Sequence, residues 1–256
     1  MTSPFQVELT DASSARAVRV TGANELRAGL GALGLHPSRP TVVVVGGAAG
    51  LKKARLDRLR PVFAVGIAPV MEKYRAVGVD GGTRSGVMSL FGEAHTAAQA
   101  TFPLVGVVAA GPAQLSPEQA SSRRVETVLE PNHTHFVIVP GNKWGAEAPW
   151  IARAATFLAG TAPSITVLVN GGQIAYSDVQ RSVEADRPVF VIAGSGRTAD
   201  VFVDALTDAP ADQRAAVLVE SGLIRSVPMD EPGVLAELLA AALGPPTAKW
   251  VLRAEA

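Results

Sequence analysis

The stretch TVVVVGGAAGL (Thr41–Leu51) decides the fold, because a run of strand-forming residues ends at two glycines and a helix-like segment follows. The same pattern recurs in VGVDGGTRSGVMSLFG (Val77–Gly92), in PVFVIAGSGRTADVF (Pro188–Phe202) and, more weakly, in ITVLVNGGQIAYSDV (Ile165–Val179). A glycine turn at the carboxyl end of a parallel strand leaves backbone N–H groups free at a helix start, where they can bind a phosphate. Four such turns predict a nucleotide-sized ligand across one edge of a sheet.

The composition narrows the class of protein. Of the 256 residues, 48% are hydrophobic and 18% are charged, which is typical of a globular chain with a large core. The formal net charge of zero argues against general nucleic-acid binding. The absence of cysteine excludes disulfides, zinc–thiolate sites and a cysteine nucleophile. Without a signal peptide or a long apolar run, we expect no membrane insertion and a soluble cytoplasmic protein.

Alternating apolar strands and helices predict an α/β fold: a single Rossmann-like, doubly wound, mostly parallel sheet with helices on both faces. The segments Phe5–Leu9 and Ala15–Val20 alternate apolar and polar residues around a polar turn at Asp11–Ser14. They predict a short N-terminal antiparallel hairpin. We expect one domain over residues 1–256, with the hairpin and a linker in 1–38 and the core in 40–245.

The remaining elements follow from hydrophobic runs and turn residues. Strands are expected at Thr41–Val45, Val77–Val79, Leu104–Ala109, His135–Val139, Ile165–Val169, Val189–Ile192 and Leu223–Val227. Helices are expected in Leu51–Tyr74 with a break at its prolines, Ser85–Ala100, Ala148–Leu158, Ser177–Ala185, Thr198–Leu206, and from an Asp230 N-cap to Leu243. The segment Gly111–Pro131 predicts a long surface connection.

Two glycine turns carry the most chemistry. In DGGTRSGVM (Asp80–Met88) the paired glycines permit close backbone approach, and Thr83 and Ser85 place hydroxyls at a helix start. The segment Gly194–Asp200 satisfies G-x-G-x-x-A, a relaxed dinucleotide fingerprint, and its Arg197 could bind phosphate or pair with Asp200. An acid suited to that fingerprint would be Glu220, near a predicted strand end. Ser195 does not fit a hydrolase nucleophile elbow, because its flanking glycines are misplaced and every histidine precedes it.

Three other features are weaker. His133 and His135 lie near a strand start without an evident third ligand, so core or rim histidines are favoured and no metal site is predicted. The cluster Lys52, Lys53, Arg55, Arg58 and Arg60 favours a solvated helix face, while a phosphate-attracting rim stays open. The loop Gly141–Glu147 joins a strand to a helix and should share the carboxyl edge with the glycine turns.

Five segments form a recognisable set. In order along the chain they are DGGTRSGVM, PNHTHFVIV (Pro131–Val139), GNKWGAE (Gly141–Glu147), VNGGQ and AGSGRTAD (Ala193–Asp200). The set resembles the amino-terminal nucleotide-sensing region of melastatin-type TRP channels, in the prokaryotic LSDAT form of the SLOG superfamily. More distantly, the chain is similar to the LOG and Smf/DprA groups. The resemblance covers roughly residues 40–245. It implies a Rossmann-like domain that binds a nucleotide or nucleotide-derived ligand such as ADP-ribose, an NAD-derived compound or an AMP-like compound.

Together, the turns and the resemblance assign the candidate ligand-binding residues. These are Gly46, Gly47, Gly81, Gly82, Thr83, Arg84, Ser85, Gly86, Val87, Met88, Asn142, Gly171, Gly172, Gln173, Gly194, Ser195, Gly196 and Arg197. LOG enzymes cleave the glycosidic bond of nucleoside monophosphates and carry P-G-G-x-G-T-x-x-E. The matching stretch here is NGGQIAYSD (Asn170–Asp178), in which Asp178 replaces the glutamate.

Three functions therefore stay open. The first is a nucleotide-binding sensor with no enzymatic activity, acting on a downstream effector protein or within a homo-oligomer. The second is a nucleotide-processing enzyme, either a LOG-like phosphoribohydrolase or an ADP-ribose or NAD hydrolase, with Asp178 or Glu147 as its acid–base. The third is an NAD-dependent oxidoreductase that uses the GSGRTA turn, although the early fingerprint and a Tyr/Lys catalytic pattern are missing.

Overall fold

The structure, a computed structural model, describes residues 3–10, 13–47, 51–114, 127–207 and 211–244. Its strands are β1 (Phe5–Thr10), β2 (Ser13–Arg19), β3 (Thr41–Gly46), β4 (Val77–Asp80), β5 (Leu104–Ala109), β6 (Ala113–Gln114), β7 (Thr127–Val128), β8 (His135–Val139), β9 (Ser164–Val169), β10 (Val189–Ala193) and β11 (Ile224–Pro228). Its helices are α1 (Ala23–Ala32), α2 (Lys53–Pro61), α3 (Ala68–Lys73), α4 (Gly86–Ala97), α5 (Ala148–Ala159), α6 (Gln173–Glu184), α7 (Thr198–Ala205), α8 (Gln213–Val219) and α9 (Pro232–Leu243).

Nine strands form one sheet in the order β1-β2-β8-β5-β4-β3-β9-β10-β11. Every neighbouring pair is parallel except the β1–β2 hairpin. The chain steps outward from β3 through β4, β5 and β8, then returns to the other side of β3 as β9. The strand order therefore reverses between β3 and β9, and ligands of open α/β sheets bind at such a switch point. The four strands that end in glycine turns are the adjacent strands β4, β3, β9 and β10.

The buried strands hold the two helical layers together because successive side chains point to opposite faces of the sheet. In β3, Val43 and Val45 belong to one core cluster, and Val42 and Val44 belong to the other. Helices α1, α5, α6, α7 and α8 cover the first face, and α2, α3, α4 and α9 cover the second. The predicted doubly wound α/β fold with helices on both faces is confirmed.

The N-terminal hairpin is confirmed, but the rest of the segment 1–38 is not a linker. Strand β2 continues the main sheet by pairing in parallel with β8. Helix α1 was not predicted from the sequence, because its glycines weaken the helical signal. It forms nonetheless because Leu26 and Leu30, one turn apart, bury their side chains in the first core cluster.

The stretch Leu51–Tyr74 contains no break, contrary to the sequence prediction. A π-helical segment, Val62–Ile67, joins α2 directly to α3. Pro61 is the last residue of α2, and Pro69 is the second residue of α3. The widened turn accommodates the prolines, so the helical path continues across the second core cluster.

Three further helix predictions are corrected. Helix α6 begins at Gln173 rather than near Ser177. Helix α8 was missed, so Glu220 follows a helix and not the strand end that a dinucleotide fingerprint requires. Asp230 is not the N-cap of α9; Glu231 occupies that position, and Asp230 lies 3.4 Å from Arg58.

Parts of three predictions lie outside the described residues: the start of the turn at Asp11–Ser14, residues 48–50 of the first glycine turn, and residues 115–126 of the long connection. The flanks of that connection pair as β6 and β7. Across the described ranges, no helix has the length and apolar character needed to cross a membrane.

Two neighbouring glycines of the turn after β4, Gly82 and Gly81, allow a comparison, because only Gly82 lies close to the backbone of another strand. Gly82 has φ of +60°, and a Cβ there would lie 2.6 Å from the Cα of Gly106. We expect Gly82→Ala to lower the free energy of unfolding by about 2 kcal/mol or more. Within the described part of the chain, a Cβ on Gly81 meets nothing within 4 Å, so Gly81→Ala should cost less than about 0.5 kcal/mol. Urea unfolding measures both, and equal losses would contradict this account.

Candidate functional site

The glycine edge, defined as the carboxyl ends of β4, β3, β9 and β10 with their turns, is closely packed at the switch point. Gly46 lies directly against the carbonyl oxygen of Val169, where a side chain would collide. The N–H of Gly47 donates to the same oxygen at 3.1 Å, and the Gly47 carbonyl accepts from the N–H of Val87 at 3.1 Å. The turn after β3 is therefore fixed to both β9 and α4.

Asn170 and Ser195 connect the turns after β9 and β10. The N–H of Asn170 donates to Ser195 Oγ, and Asn170 Nδ2 donates to the Ser195 carbonyl, both at 2.8 Å. The Ser195 hydroxyl donates to the carbonyl of Ile192 at 2.5 Å and is buried. Its hydrogen bonds hold the turn, so Ser195 does not present a nucleophile. Asn170 itself adopts φ of +60°.

The helices that follow the glycine turns lack side-chain caps. In α2, α4, α6 and α7, no side chain of the N-cap residue accepts a hydrogen bond from the first turn. The same holds for α1, α3, α5 and α9, whereas in α8 the Asp212 carboxylate accepts from the N–H groups of Arg214 and Ala215. Uncapped N–H groups and the positive end of the helix dipole attract anions. The four helix starts at the glycine edge are therefore suited to a phosphorylated ligand.

Three exposed arginines border the glycine edge: Arg55, Arg84 and Arg197. Arg55 Nη1 donates to the carbonyls of Ser195 at 3.0 Å and Gly194 at 3.4 Å. The guanidinium of Arg197 crosses the turn after β9, because a Cβ on Gly172 would lie 3.1 Å from Nη2. Sequence reasoning favoured a solvated face for Arg55, since no local pattern joins it to a turn 139 residues away.

The Asp200 carboxylate accepts from the N–H of Gly194 at 2.8 Å. It therefore caps the turn after β10 from within α7. The Thr198 hydroxyl, which is buried, donates to the Gly172 carbonyl at 3.0 Å and ties this turn to the one after β9.

The other predicted ligand residues occupy three environments. Val87 and Met88 are buried in the core below the turn, and Thr83 is buried with its hydroxyl 3.2 Å from that of Ser85. Five of the predicted glycines have a positive φ, between +50° and +100°, which favours glycine. They are Gly82, Gly86, Gly171, Gly194 and Gly196. No atom of the described ranges lies within 4 Å of a Cβ built on Gly81 or on Gly194, and Asn142 is exposed on the neighbouring loop.

Gln173 belongs to a polar cluster that sequence reasoning missed. Its Oε1 accepts from Arg214 Nη1 at 3.0 Å. Arg214 lies over the ring of Tyr176 at 4.0 Å, and the Tyr176 hydroxyl donates to Asp212 at 3.0 Å. The Arg214 guanidinium holds the pKa of Asp212 well below its usual range. These contacts fix the side chain of Gln173 at the start of α6.

A buried charged triad lies below the turn after β4. His133 Nε2 is 2.7 Å from Asp80 Oδ1, and His133 Nδ1 is 2.8 Å from Glu130 Oε2. Asp80 Oδ1 also accepts from the N–H of Gly82 at 2.7 Å, so the triad braces the turn directly. Gly92 of α4 makes room for the Glu130 carboxylate, which a Cβ at this position would strike.

The imidazole of His133 is charged in this setting. Burial alone would lower the pKa of His133, but the Asp80 and Glu130 carboxylates outweigh it and raise the pKa to about 9. The neighbouring His135 behaves differently, because burial and then Arg16 lower its pKa to about 4. The two histidines therefore do not act as a pair. Both ring nitrogens of His133 are used, and no group of metal ligands occurs among the described residues.

The two candidate catalytic carboxylates lie close to each other where α5 meets α6. Burial and the charge of Glu147 raise the pKa of Asp178 to about 7, whereas Arg181 lowers it. Burial also raises the pKa of Glu147, although its carboxylate accepts from the N–H of Gly145 at 3.0 Å. A carboxylic acid with a raised pKa can serve as a general acid. Asp178 lies in the second turn of α6 rather than at its start.

Comparison with known proteins identifies relatives. The family model described as SLOG in TRPM, prokaryote matches residues 39–237. The transient receptor potential cation channel subfamily M member 2 of Mus musculus is 24% identical over 209 residues, which are 68% of this chain and 14% of the channel. Its counterpart from Rattus norvegicus is 24% identical over 204 residues, 66% of this chain and 13% of that protein. The chain thus spans a small part of these channels.

Among solved structures, the molybdenum cofactor carrier protein from Chlamydomonas reinhardtii aligns with a TM-score of 0.51 and 14% identity. The alignment covers 79% of this chain and 99% of the carrier protein. At this identity the likeness concerns the fold alone. It agrees with the Rossmann-like α/β architecture, and the family match confirms the resemblance that the motifs indicated.

The charged triad predicts a pH dependence of stability. A folded pKa of about 9 against 6.5 in the unfolded chain means that His133 stabilises the fold fully below pH 6.5 and loses this contribution as pH rises through 9. The loss is at most about 3 kcal/mol. Urea unfolding between pH 6 and about 9.5 should show this fall in the wild-type protein and not in His133→Gln.

His135→Gln is the matched control. A lowered folded pKa leaves His135 neutral in both states above pH 6.5, so this variant should keep the wild-type fall in stability. A His133→Gln variant that shows the same fall as the wild type would refute the charged triad.

Proposed function

The chain belongs to the SLOG family found in TRPM proteins, in its prokaryotic form, and we propose that it is a nucleotide-binding sensor domain. The ligand is a nucleotide or nucleotide derivative of the ADP-ribose type, bound along the glycine edge. One observation carries the proposal: the four glycine turns follow four adjacent parallel strands, β4, β3, β9 and β10, on both sides of the switch point. This is where open α/β sheets bind nucleotides.

The charge distribution supports a pyrophosphate in the middle of that edge. The starts of α4, α6 and α7 have no side-chain cap at the N-cap residue, although the N–H groups of Val87 and Ala199 donate to backbone carbonyls of the neighbouring turns. Arg197 lies across Gly172, and Arg55 lies against Gly194 and Ser195, so two guanidinium groups are held near the turns. Arginine binds phosphate oxygens in a bidentate manner and stays charged at all physiological pH values. The proposed pyrophosphate therefore lies between the turns after β9 and β10.

The surrounding contacts support a preformed binding site. Ser195, Asp200 and Thr198 hold the turns through hydrogen bonds within the protein. The Gln173–Arg214–Tyr176 cluster lies at one end of the edge. Preorganised sites lose little conformational entropy on binding, which favours affinity. A sensor of this kind would act on a downstream effector protein or within a homo-oligomer.

A nucleotide-processing enzyme is the second candidate, and the raised pKa of Asp178 favours it. Protonated Asp178 could donate to a leaving base, with Glu147 as its neighbour. Against this, Asp178 is one methylene shorter than the glutamate of LOG enzymes, and its carboxylate lies beside Glu147 and Arg181 between two helices. The two candidates differ in one measurable property, the release of product.

A thermal-stability assay with a ligand panel tests the proposal. The panel contains AMP, CMP, NAD, cyclic ADP-ribose and ADP-ribose, and the same tubes are analysed for product by chromatography. A ligand at about 100 times its Kd stabilises the folded state by about 2.7 kcal/mol. We expect stabilisation by a pyrophosphate-containing ligand and no product. Base release that disappears in Asp178→Asn would establish the enzyme instead, and no stabilisation at several millimolar would refute both functions.

Arg197→Ala and Arg19→Ala provide the paired control for this assay. Both side chains are exposed, but Arg19 lies on β2, far from the glycine edge in strand order. We expect Arg197→Ala to weaken pyrophosphate-containing ligands roughly tenfold or more, the effect of a lost charge-assisted contact. Arg19→Ala should bind like the wild type.

A further inference from the structure

A cavity of about 660 Å³ lies on the first face of the sheet, between α1, α5 and α6. Its wall includes Arg181, Glu184 and Ala185 near the end of α6, and Gly160 just after α5. Helices that follow parallel strands begin at the carboxyl edge of the sheet and end at its amino edge. The cavity, which we call the arginine groove, is therefore separate from the glycine edge. Its volume suits a small-molecule ligand.

The arginine groove carries excess positive charge. Arg27, Arg153 and Arg181 line it with a single carboxylate, that of Glu184. The Glu184 carboxylate accepts from Gln180 Nε2 at 2.8 Å. The salt bridges found among the described residues include none of the three arginines. Three guanidinium groups line the cavity against the carboxylate of Glu184, with the Asp178 carboxylate also near Arg181, and this excess of positive charge attracts an anion.

Two of these arginines are held in place by aromatic rings. Arg27 lies over the ring of Phe157 at 5.3 Å, and Arg153 lies over the ring of Trp150 at 5.8 Å. Stacking restricts the long side chains while leaving the N–H groups at the edge of each guanidinium available. The groove is thereby arranged in advance of binding.

Arg181 supplies an independent indication of a ligand. Its Nε atom is buried and has no hydrogen-bond partner among the residues that the structure describes. A buried donor without an acceptor is costly, and such atoms occur where a water, ion or ligand is bound.

Buried positive charge also lies next to the groove. Arg187 is only 3% exposed and donates to neutral acceptors alone: Ser164 Oγ, the Ala152 carbonyl and Thr156 Oγ1. Two of these acceptor residues, Ala152 and Thr156, belong to the groove wall.

We infer that the arginine groove binds a small polyanion of the phosphate class, through Arg27, Arg153 and Arg181. The phosphate oxygens accept hydrogen bonds from the guanidinium groups of Arg27, Arg153 and Arg181. The apolar part of the wall, which includes Pro149 and Phe157, accommodates an organic portion of the ligand. The inference does not depend on the nucleotide proposal, because the two sites share no residue.

Pyrophosphate is the probe for this site. Isothermal titration calorimetry should give binding to the wild-type protein that weakens with added salt, since exposed charges are screened. In the double variant Arg153→Gln/Arg181→Gln, the affinity of the arginine groove for pyrophosphate should fall at least tenfold. The arginine Nε–H resonances of Arg153 and Arg181, assigned by the single variants, should shift during an NMR titration. Arg19→Gln, a remote exposed arginine, should behave as the wild type.

The possible results of these experiments distinguish pyrophosphate binding in the arginine groove from binding at the glycine edge. Binding that is lost in Arg197→Ala but kept in Arg153→Gln/Arg181→Gln, with no shift of the two Nε–H resonances, would place pyrophosphate at the glycine edge and overturn the inference. No detectable binding at about 10 mM would also overturn it. Should the double variant fail to fold by circular dichroism, Arg27→Gln/Arg153→Gln replaces it, because both side chains are exposed. That pair must lower the affinity for the inference to stand.

Discussion

The in-register pairing of β3 with β9 is the constraint on which the glycine edge depends. Six consecutive residue pairs run from Thr41 opposite Ser164 to Gly46 opposite Val169. At the last pair, the Val169 carbonyl occupies the space that a side chain on Gly46 would need. The two strands therefore end together, and the following turns diverge toward opposite faces of the sheet. This divergence opens the switch point at which the proposed ligand lies.

A second layer of interactions keeps that opening in shape. The backbone N–H of Ala199 donates to the Asn170 carbonyl at 2.7 Å, and Ser195 fixes the other side of the same residue. On the far side of β3, the charged triad of Asp80, His133 and Glu130 braces the turn after β4. Removing one partner of a buried charged group leaves the other charge uncompensated, which is costly. The triad therefore favours the one turn geometry in which all three groups stay paired. The geometry of the glycine edge thus rests on polar contacts as much as on the apolar core.

Local sequence patterns predicted those features that depend on neighbouring residues. The runs Leu104–Ala109 and His135–Val139 are buried strands with the predicted bounds, because every residue in them is apolar or flanks a turn. The positions of the glycine turns were also evident, since only glycine combines tight turning with close approach. The sequence predictions were wrong for features that tertiary packing determines. Helix α1 depends on its contact with the sheet, and the π-helical segment depends on how two prolines fit over the second core cluster.

The unpredicted parts of the candidate site join residues that are distant in sequence. Asp80 and His133 are 53 residues apart, and Arg55 and Gly194 are 139 apart, so neither pairing leaves a local signal. The interpretation of His133 as an ordinary core or rim histidine missed its charge for the same reason. Only the sheet order brings these residues to the same edge.

An amide NMR titration with ADP-ribose tests most directly whether the glycine edge is one site. The account predicts that the amide resonances of Gly81, Gly171, Gly172 and Gly194, from three separate turns, shift together and fit a single Kd. Amide shifts that fit unrelated constants, or that leave all four glycines unchanged while ADP-ribose binds elsewhere, would contradict it.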